Sequence, residues 1–90
     1  MSVRIINSSK RDRTFANRLL AVIPTVDEIA FKPEWIEVSP DHTVARLGCY
    51  DYDGSQYTDY ILHIHGYNVS IYSAEYDWEA GVYQGEFHLV

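Results

Sequence analysis

Three groups of residues in this 90-residue chain have types and spacings that could do chemistry. His63 and His65 lie two apart. Alternate strand residues share a face, so both imidazoles would point the same way with Cα atoms about 6–7 Å apart. That suits two ligands of a divalent metal, but such a site needs a third. Asp59 is two further steps along the same face, and His42 and His88 have no assigned place. Two surface histidines, with no metal bound, are the expected reading. Tyr57, Asp59 and His63 would form an acid–base set if they shared one sheet face. The sequence has no Ser/His/Asp order and no glycine-rich phosphate loop beside them. A non-enzymatic protein without a cofactor is therefore expected.

The third group is acidic and aromatic. Tyr50, Asp51, Tyr52 and Asp53 run together with Tyr57 and Asp59 close behind, and Glu75, Asp77 and Trp78 form a second such cluster. Tyrosine and tryptophan are favoured where a surface is wet in one state and buried in another. Carboxylates spaced along a surface imitate a row of phosphates, and interleaved rings cover the apolar parts of a nucleic-acid-binding groove. The competing reading is ordinary solubilising charge.

Charge supports the partner reading. The net charge is −6, unevenly placed. Residues 1–32 carry six basic and three acidic groups, and residues 33–90 carry one basic and ten acidic groups. The second part should repel nucleic acid and attract basic protein surfaces. Arg11, Arg13 and Arg18 argue against a mimic covering the whole surface. Tyrosine is the anomalous residue, at eight copies beside two Trp and three Phe. The single cysteine, Cys49, excludes an internal disulfide and any zinc site built on cysteines. The opening MSVRIINSSKRDR lacks the apolar run of a secretory signal, and no stretch is long and apolar enough to span a membrane. These features point to one soluble cytoplasmic domain.

The elements that must position these groups follow from periodicity. Asn7-Ser8-Ser9 offers a helix cap. Phe15, Ala16, Leu19, Leu20 and Ile23 then recur at helical spacing, predicting a helix over residues 9–22 stopped by Pro24. Thr25–Glu28 matches a capping box and predicts either a short helical turn or an irregular connection. Val3–Ile6 is a candidate edge strand. Residues 34–38, 43–52, 55–65 and 68–72 alternate as strands. Turns are expected at Pro40-Asp41, Asp53-Gly54 and Gly66-Tyr67. Pairing about those tips sets Val38 opposite Thr43, Ile36 opposite Ala45, Cys49 opposite Thr58, Leu47 opposite Tyr60, Ile64 opposite Val69 and Leu62 opposite Ile71. One face then collects Ile36, Val38, Ala45, Leu47, Cys49, Leu62, Ile64, Val69 and Ile71 as a core for the helix to cover. The other collects Trp35, Glu37, Val44, Arg46, Tyr50, Tyr57, Asp59, Ile61, His63, His65 and Tyr72. Residues 73–81 read as a capped helical turn or as strand continued past a bulge. Residues 82–90 read as a last strand with Tyr83, Phe87 and Leu89 inward.

The fold expected is α+β: an antiparallel meander of four to five strands with one N-terminal helix packed on one face. The function expected is a protein-binding module, a small acidic inhibitor of the phage or mobile-element kind, acting in the host-cell cytoplasm. Its target would be a protein with a basic, nucleic-acid-binding surface; no direct nucleic-acid or membrane binding is expected. Trp35, Tyr50, Asp51, Tyr52, Asp53, Tyr57 and Asp59 are the contact candidates, with Glu75, Asp77 and Trp78 as a second acidic edge. The alternatives are a homodimeric structural or adaptor protein closed through its aromatic sheet face, an immunity or antitoxin protein, and a metal protein built on His63 and His65.

Overall fold

A computed structural model of the chain describes residues 3–23, 32–74 and 81–89. Among the described residues, six strands and one helix follow in the order β1 (Arg4–Ile5), α1 (Lys10–Val22), β2 (Trp35–Val38), β3 (Val44–Tyr50), β4 (Gln56–His65), β5 (Asn68–Ser73) and β6 (Val82–His88). The strands form one sheet in sequential order, β1 to β6. The class is the expected α+β, but the sheet has six strands rather than four to five. The Val3–Ile6 run does supply an edge strand, and it pairs parallel to β2. α1 crosses between these two parallel strands, as a parallel pair requires.

α1 begins where its capping chemistry says it should. Ser9 is the N-cap, its hydroxyl accepting from the Asp12 amide at 3.1 Å. The side chain of Asn7 then extends β1, giving one hydrogen bond to the Val38 carbonyl and taking one from the Val38 amide, both at 2.8 Å. α1 buries Phe15, Ala16 and Leu19, with Ile23 just beyond its end. These pack against Ile36, Val38, Ala45, Leu47, Leu62, Ile64, Val69 and Ile71, with Phe87 and Leu89 completing the cluster. Truncating a wholly buried member such as Leu19 to alanine removes about 2–5 kcal/mol.

Two turns differ from expectation without moving the core. The β2–β3 register is Val38 opposite Ala45 and Ile36 opposite Leu47, two residues from the pairing predicted about Pro40-Asp41. The connection is longer because its polar side chains fold it. Ser39 Oγ accepts from the amides of Thr43 and Val44, Asp41 accepts from the Ser39 hydroxyl at 2.7 Å, and His42 takes a left-handed conformation with φ of 59°. A slip of two preserves parity, so every apolar residue stays on its face.

The β3–β4 turn contains three residues, Tyr52, Asp53 and Gly54, rather than two. The Gly54 amide donates to the Asp51 carbonyl at 2.9 Å, the Asp51 amide to the Ser55 carbonyl at 2.8 Å, and Gly54 supplies φ of 89°. The extra residue is absorbed by a bulge. Cys49 pairs with Tyr57 and Gly48 with Thr58, but Leu47 pairs with Tyr60, leaving Asp59 as the added residue on β4. Beyond it, Leu47 opposite Tyr60 is as predicted, and Ala45 lies opposite Leu62. The β4–β5 register agrees throughout, with Gly66 at φ of 64° opening a two-residue turn.

A second irregularity lies between Ile71 and Tyr72 on β5: Ile71 faces Gly85 and Tyr72 faces Tyr83, so Gln84 is the added residue on β6. Phe87 and Leu89 are buried as predicted. Tyr83 was expected inward and is instead 55% exposed, because the bulge turns it to the other face. The predicted helical turn over residues 25–30 lies outside the described residues, as do residues 75–80. Among the described residues, no helix is long and apolar enough to cross a membrane.

Candidate partner-binding surface

The face away from α1 is organised as rows across the sheet. The longest runs Glu37, Arg46, Ile61, Tyr72, Tyr83 across five strands. Glu37 and Arg46 form an ion pair. Tyr72 meets Tyr83 edge-on at 5.6 Å and His63 edge-on at 4.9 Å. Such edge-to-face contacts hold aromatic rings in fixed orientations. The next row holds Val44, His63, Ser70 and Glu86, and the last holds His65, Asn68 and His88.

The face is less open than its composition suggested. Trp35 was a contact candidate, yet it is 2% exposed and its indole N–H donates to the Cys49 carbonyl at 2.9 Å. It lies opposite Gly48, where no side chain competes for the space. Trp35 is therefore an internal residue, and Ile61 is buried as well. The exposed share of this face is its β4–β6 side: Tyr83, His63 and His65, with Tyr72 half-buried. Tyr50 is also half-buried. Its hydroxyl is buried with no hydrogen-bond partner among the described residues.

The bulge redirects Tyr57 and Asp59, which were expected beside Ile61 and His63. Tyr57 sits opposite Cys49, on that residue's side of the sheet. Asp59 accepts a hydrogen bond from the Cys49 thiol at 2.8 Å. The supposed acid–base set of Tyr57, Asp59 and His63 is thus not assembled. Cys49 was expected within the core and is instead half-buried at its margin, facing a carboxylate. Desolvation first, then the hydrogen bond to Asp59, pushes its thiol up to about 11. A thiol held protonated in this way is a poor nucleophile.

The acidic aromatic cluster is brought together at the tip of the β3–β4 hairpin. Tyr52 is 99% exposed between Asp51 and Asp53, and Tyr57 stands exposed behind it. The tip is ordered by its own side chains. Asp51 Oδ1 accepts from the Tyr52 amide at 2.9 Å, and Asp53 Oδ1 from the Ser55 amide at 2.9 Å. Those bonds from Ser55 hold the Asp53 carboxyl below the usual carboxylate range, so its charge persists at neutral pH. Glu75, Asp77 and Trp78 lie outside the described residues.

Two basic groups of α1, Arg11 and Arg13, are far from this tip. Arg11 donates to the Pro40 carbonyl at 3.0 Å, and Arg13 to the carbonyls of Ile5 and Asn7. Both therefore belong to the end of the sheet holding the β2–β3 loop, one full length of β3 from the hairpin tip, or about 23 Å for its seven residues.

One constellation could not be foreseen. His42 Nε2–H donates to Asp12 Oδ1 at 2.7 Å, and its ring stacks on Phe15 at 4.2 Å and 8°. The bond from His42, with a second involving Ser9, holds the Asp12 carboxyl below its ordinary range. Thirty positions separate the pair in sequence, and His42 presents its ring to α1 from a left-handed backbone. Phe15 covers one ring face, and no nucleophile is hydrogen-bonded to the imidazole among the described residues. The pair clamps the loop to the helix. His63 and His65 are both exposed, and no group of three potential ligands gathers around them or elsewhere among the described residues. Comparison with protein-family models, curated proteins and solved structures finds no match.

Proposed function

We propose that this chain is a non-enzymatic protein-binding module, a small acidic inhibitor that docks its β3–β4 hairpin tip on a basic surface of a target protein. The observation that carries this reading is Tyr52, fully exposed between two carboxylates on a turn ordered by four internal hydrogen bonds. A rigid aromatic anchor contributes contact area with little ordering entropy, and flanking charges steer approach to an oppositely charged surface. The surface favoured is one that itself binds nucleic acid, where Asp51 and Asp53 stand in for phosphates and Tyr52 and Tyr57 for bases. A phage or mobile-element inhibitor acting in the host cytoplasm fits these physics, as does an immunity protein or antitoxin.

Among the described residues the contact set is narrower than the sequence suggested, while Glu75, Asp77 and Trp78 lie outside them. It comprises Asp51, Tyr52, Asp53 and Tyr57, with Trp35 and Asp59 supporting the structure from within. Affinity capture from the native lysate tests it. The wild-type chain should retain a partner that is lost as salt rises. The variant carrying Tyr52→Ala, Asp51→Asn and Asp53→Asn should not retain it. Equal retention by both proteins would overturn the assignment.

A further inference from the structure

Every charged residue at an exposed position of α1 is a cation: Lys10, Arg11, Arg13 and Arg18. At about 3.6 residues per turn and 1.5 Å per residue, they share an arc of about 160° and span about 12 Å of the helix. Thr14 and Asn17, both exposed, lie within the same arc. The one acid of α1, Asp12, is half-buried and accepts from His42. Asp41, in the neighbouring loop, accepts from the hydroxyls of Ser39 and Thr43. Among the described residues, the ion pairs are His42–Asp12 and Arg46–Glu37, and none of the four helix cations takes part in one. Lys10 and Arg11 moreover stand in the first turn, where the positive end of the helix dipole disfavours cations. Arg11 and Arg13 are held by backbone carbonyls, which neutralise no charge, and each gives only its Nη1 to them. Each guanidinium keeps further N–H donors for a ligand.

We infer that this face of α1 binds the phosphate backbone of a nucleic-acid duplex, independently of base sequence. Charge complementarity selects a polyanion. Three of the four cations are arginine, whose planar fork matches phosphate oxygens. The rest of the face selects among polyanions. A protein interface needs aromatic or apolar anchors, and among the described residues none of the exposed large apolar side chains lies on α1. A single strand needs rings on which its bases stack, and a membrane-surface helix needs an exposed apolar face. The outer face of α1 has neither. A duplex backbone needs only cations and small polar donors such as Thr14 and Asn17. Net charge alone led to the expectation of no direct nucleic-acid binding, but placement decides the matter rather than the sum. The acidic hairpin tip is about 23 Å from the loop on which Arg11 rests, well beyond the screening length of about 8 Å at physiological salt. The contact is therefore separate from the one proposed for the tip.

Fluorescence anisotropy of a labelled duplex of about 20 base pairs, titrated with the full chain at about 50 mM salt, tests this. The wild type should bind with a Kd of about 10⁻⁶–10⁻⁴ M, and a duplex of unrelated sequence should bind equally. Four phosphate contacts set the slope of log K against log salt at about −3.6. Lys10→Gln combined with Arg18→Gln should halve that slope and weaken binding by about tenfold per charge removed. Thr14→Glu, which sets an anion in the middle of the face at a side chain exposed to solvent, should abolish binding. Circular dichroism and urea midpoints confirm that each variant is folded. A wild type that binds no duplex overturns the inference. So does binding that neither variant weakens. Tighter binding to a single strand of the same length, or to vesicles of phosphatidylserine and phosphatidylcholine, overturns the choice of a duplex. The hairpin-tip variant should bind the duplex at least as well as the wild type, and Thr14→Glu should still capture a protein partner from nuclease-treated lysate. Failure of the duplex titration with that capture intact would concern α1 alone.

Discussion

Gly48→Ala is the sharpest perturbation of the account that ties the sheet to its acidic tip. Gly48 sits within β3 beside the bulge at Asp59. A Cβ there would overlap the Tyr57 carbonyl oxygen and stand 2.8 Å from the Tyr57 carbonyl carbon and 2.9 Å from the Asp59 amide nitrogen. All three obstacles are backbone, so no rotamer change relieves them, and β3 must separate from β4. Overpacking of this kind falls at or beyond the upper end of the usual cost, about 3 kcal/mol. A domain of this size has a total stability of about 5–13 kcal/mol. The same loss lowers Tm by about 12–24 °C. Gly54→Ala is the control: nothing lies within 4 Å of its Cβ, so only its φ of 89° opposes the change, at about 1–2 kcal/mol. Thermal and urea unfolding should rank Gly48→Ala well below Gly54→Ala. The thiol of Cys49 should also react faster in Gly48→Ala, because separation of the strands frees it from Asp59. A Gly48→Ala protein as stable as Gly54→Ala, with Cys49 unchanged, would refute the bulged register and with it the placement of Tyr57 and Asp59.

Other outcomes follow from single contacts. Tyr50→Phe removes a buried hydroxyl without a partner among the described residues, and should leave stability unchanged or raise it by about 1 kcal/mol in urea unfolding. Asp12 has a depressed carboxyl, so its contribution is present above the ordinary Asp range and is lost as pH falls through its lower folded value. Urea midpoints of the wild type should therefore fall between pH 5 and pH 2 (about one pK range either side of an ordinary Asp) by more than those of Asp12→Asn. Asp59→Asn removes the carboxylate that helps to raise the Cys49 thiol, and alkylation at pH 8 should quicken, while desolvation keeps it slower than a free thiol. Tyr52→Ala, at a side chain that touches solvent, should change stability by less than about 0.5 kcal/mol while abolishing partner capture.

The fold was legible wherever two signals had to agree. The apolar alternation of Ile36, Val38, Ala45, Leu47, Leu62, Ile64, Val69 and Ile71 constrains parity, so even the two-residue slip at Ser39–Thr43 left the core set intact. Gly66-Tyr67 gave its register in full, because a two-residue turn with glycine leading has one natural pairing. The bulges were not legible. No residue type marks Asp59 or Gln84 as added residues. The nearest traces are Gly48 and Gly85 on or beside the affected strands, and glycine in a strand also signals close packing or a bend. Those two bulges account for the misplaced Tyr57, Asp59 and Tyr83. Trp35 was misread for a different reason. Its parity was right, but facing a glycine made its side of the sheet a niche rather than a surface. The Asp12–His42 clamp depends on a left-handed non-glycine residue, which local sequence does not specify.

The central claim is that the hairpin tip is the contact surface. It is tested most directly by placing a photo-crosslinking side chain at position 52 or, for comparison, at the exposed helical position Thr14. After irradiation in cells that carry the natural partner, the account predicts a covalent protein adduct from position 52 and none from position 14. A protein adduct from position 14 alone would contradict it.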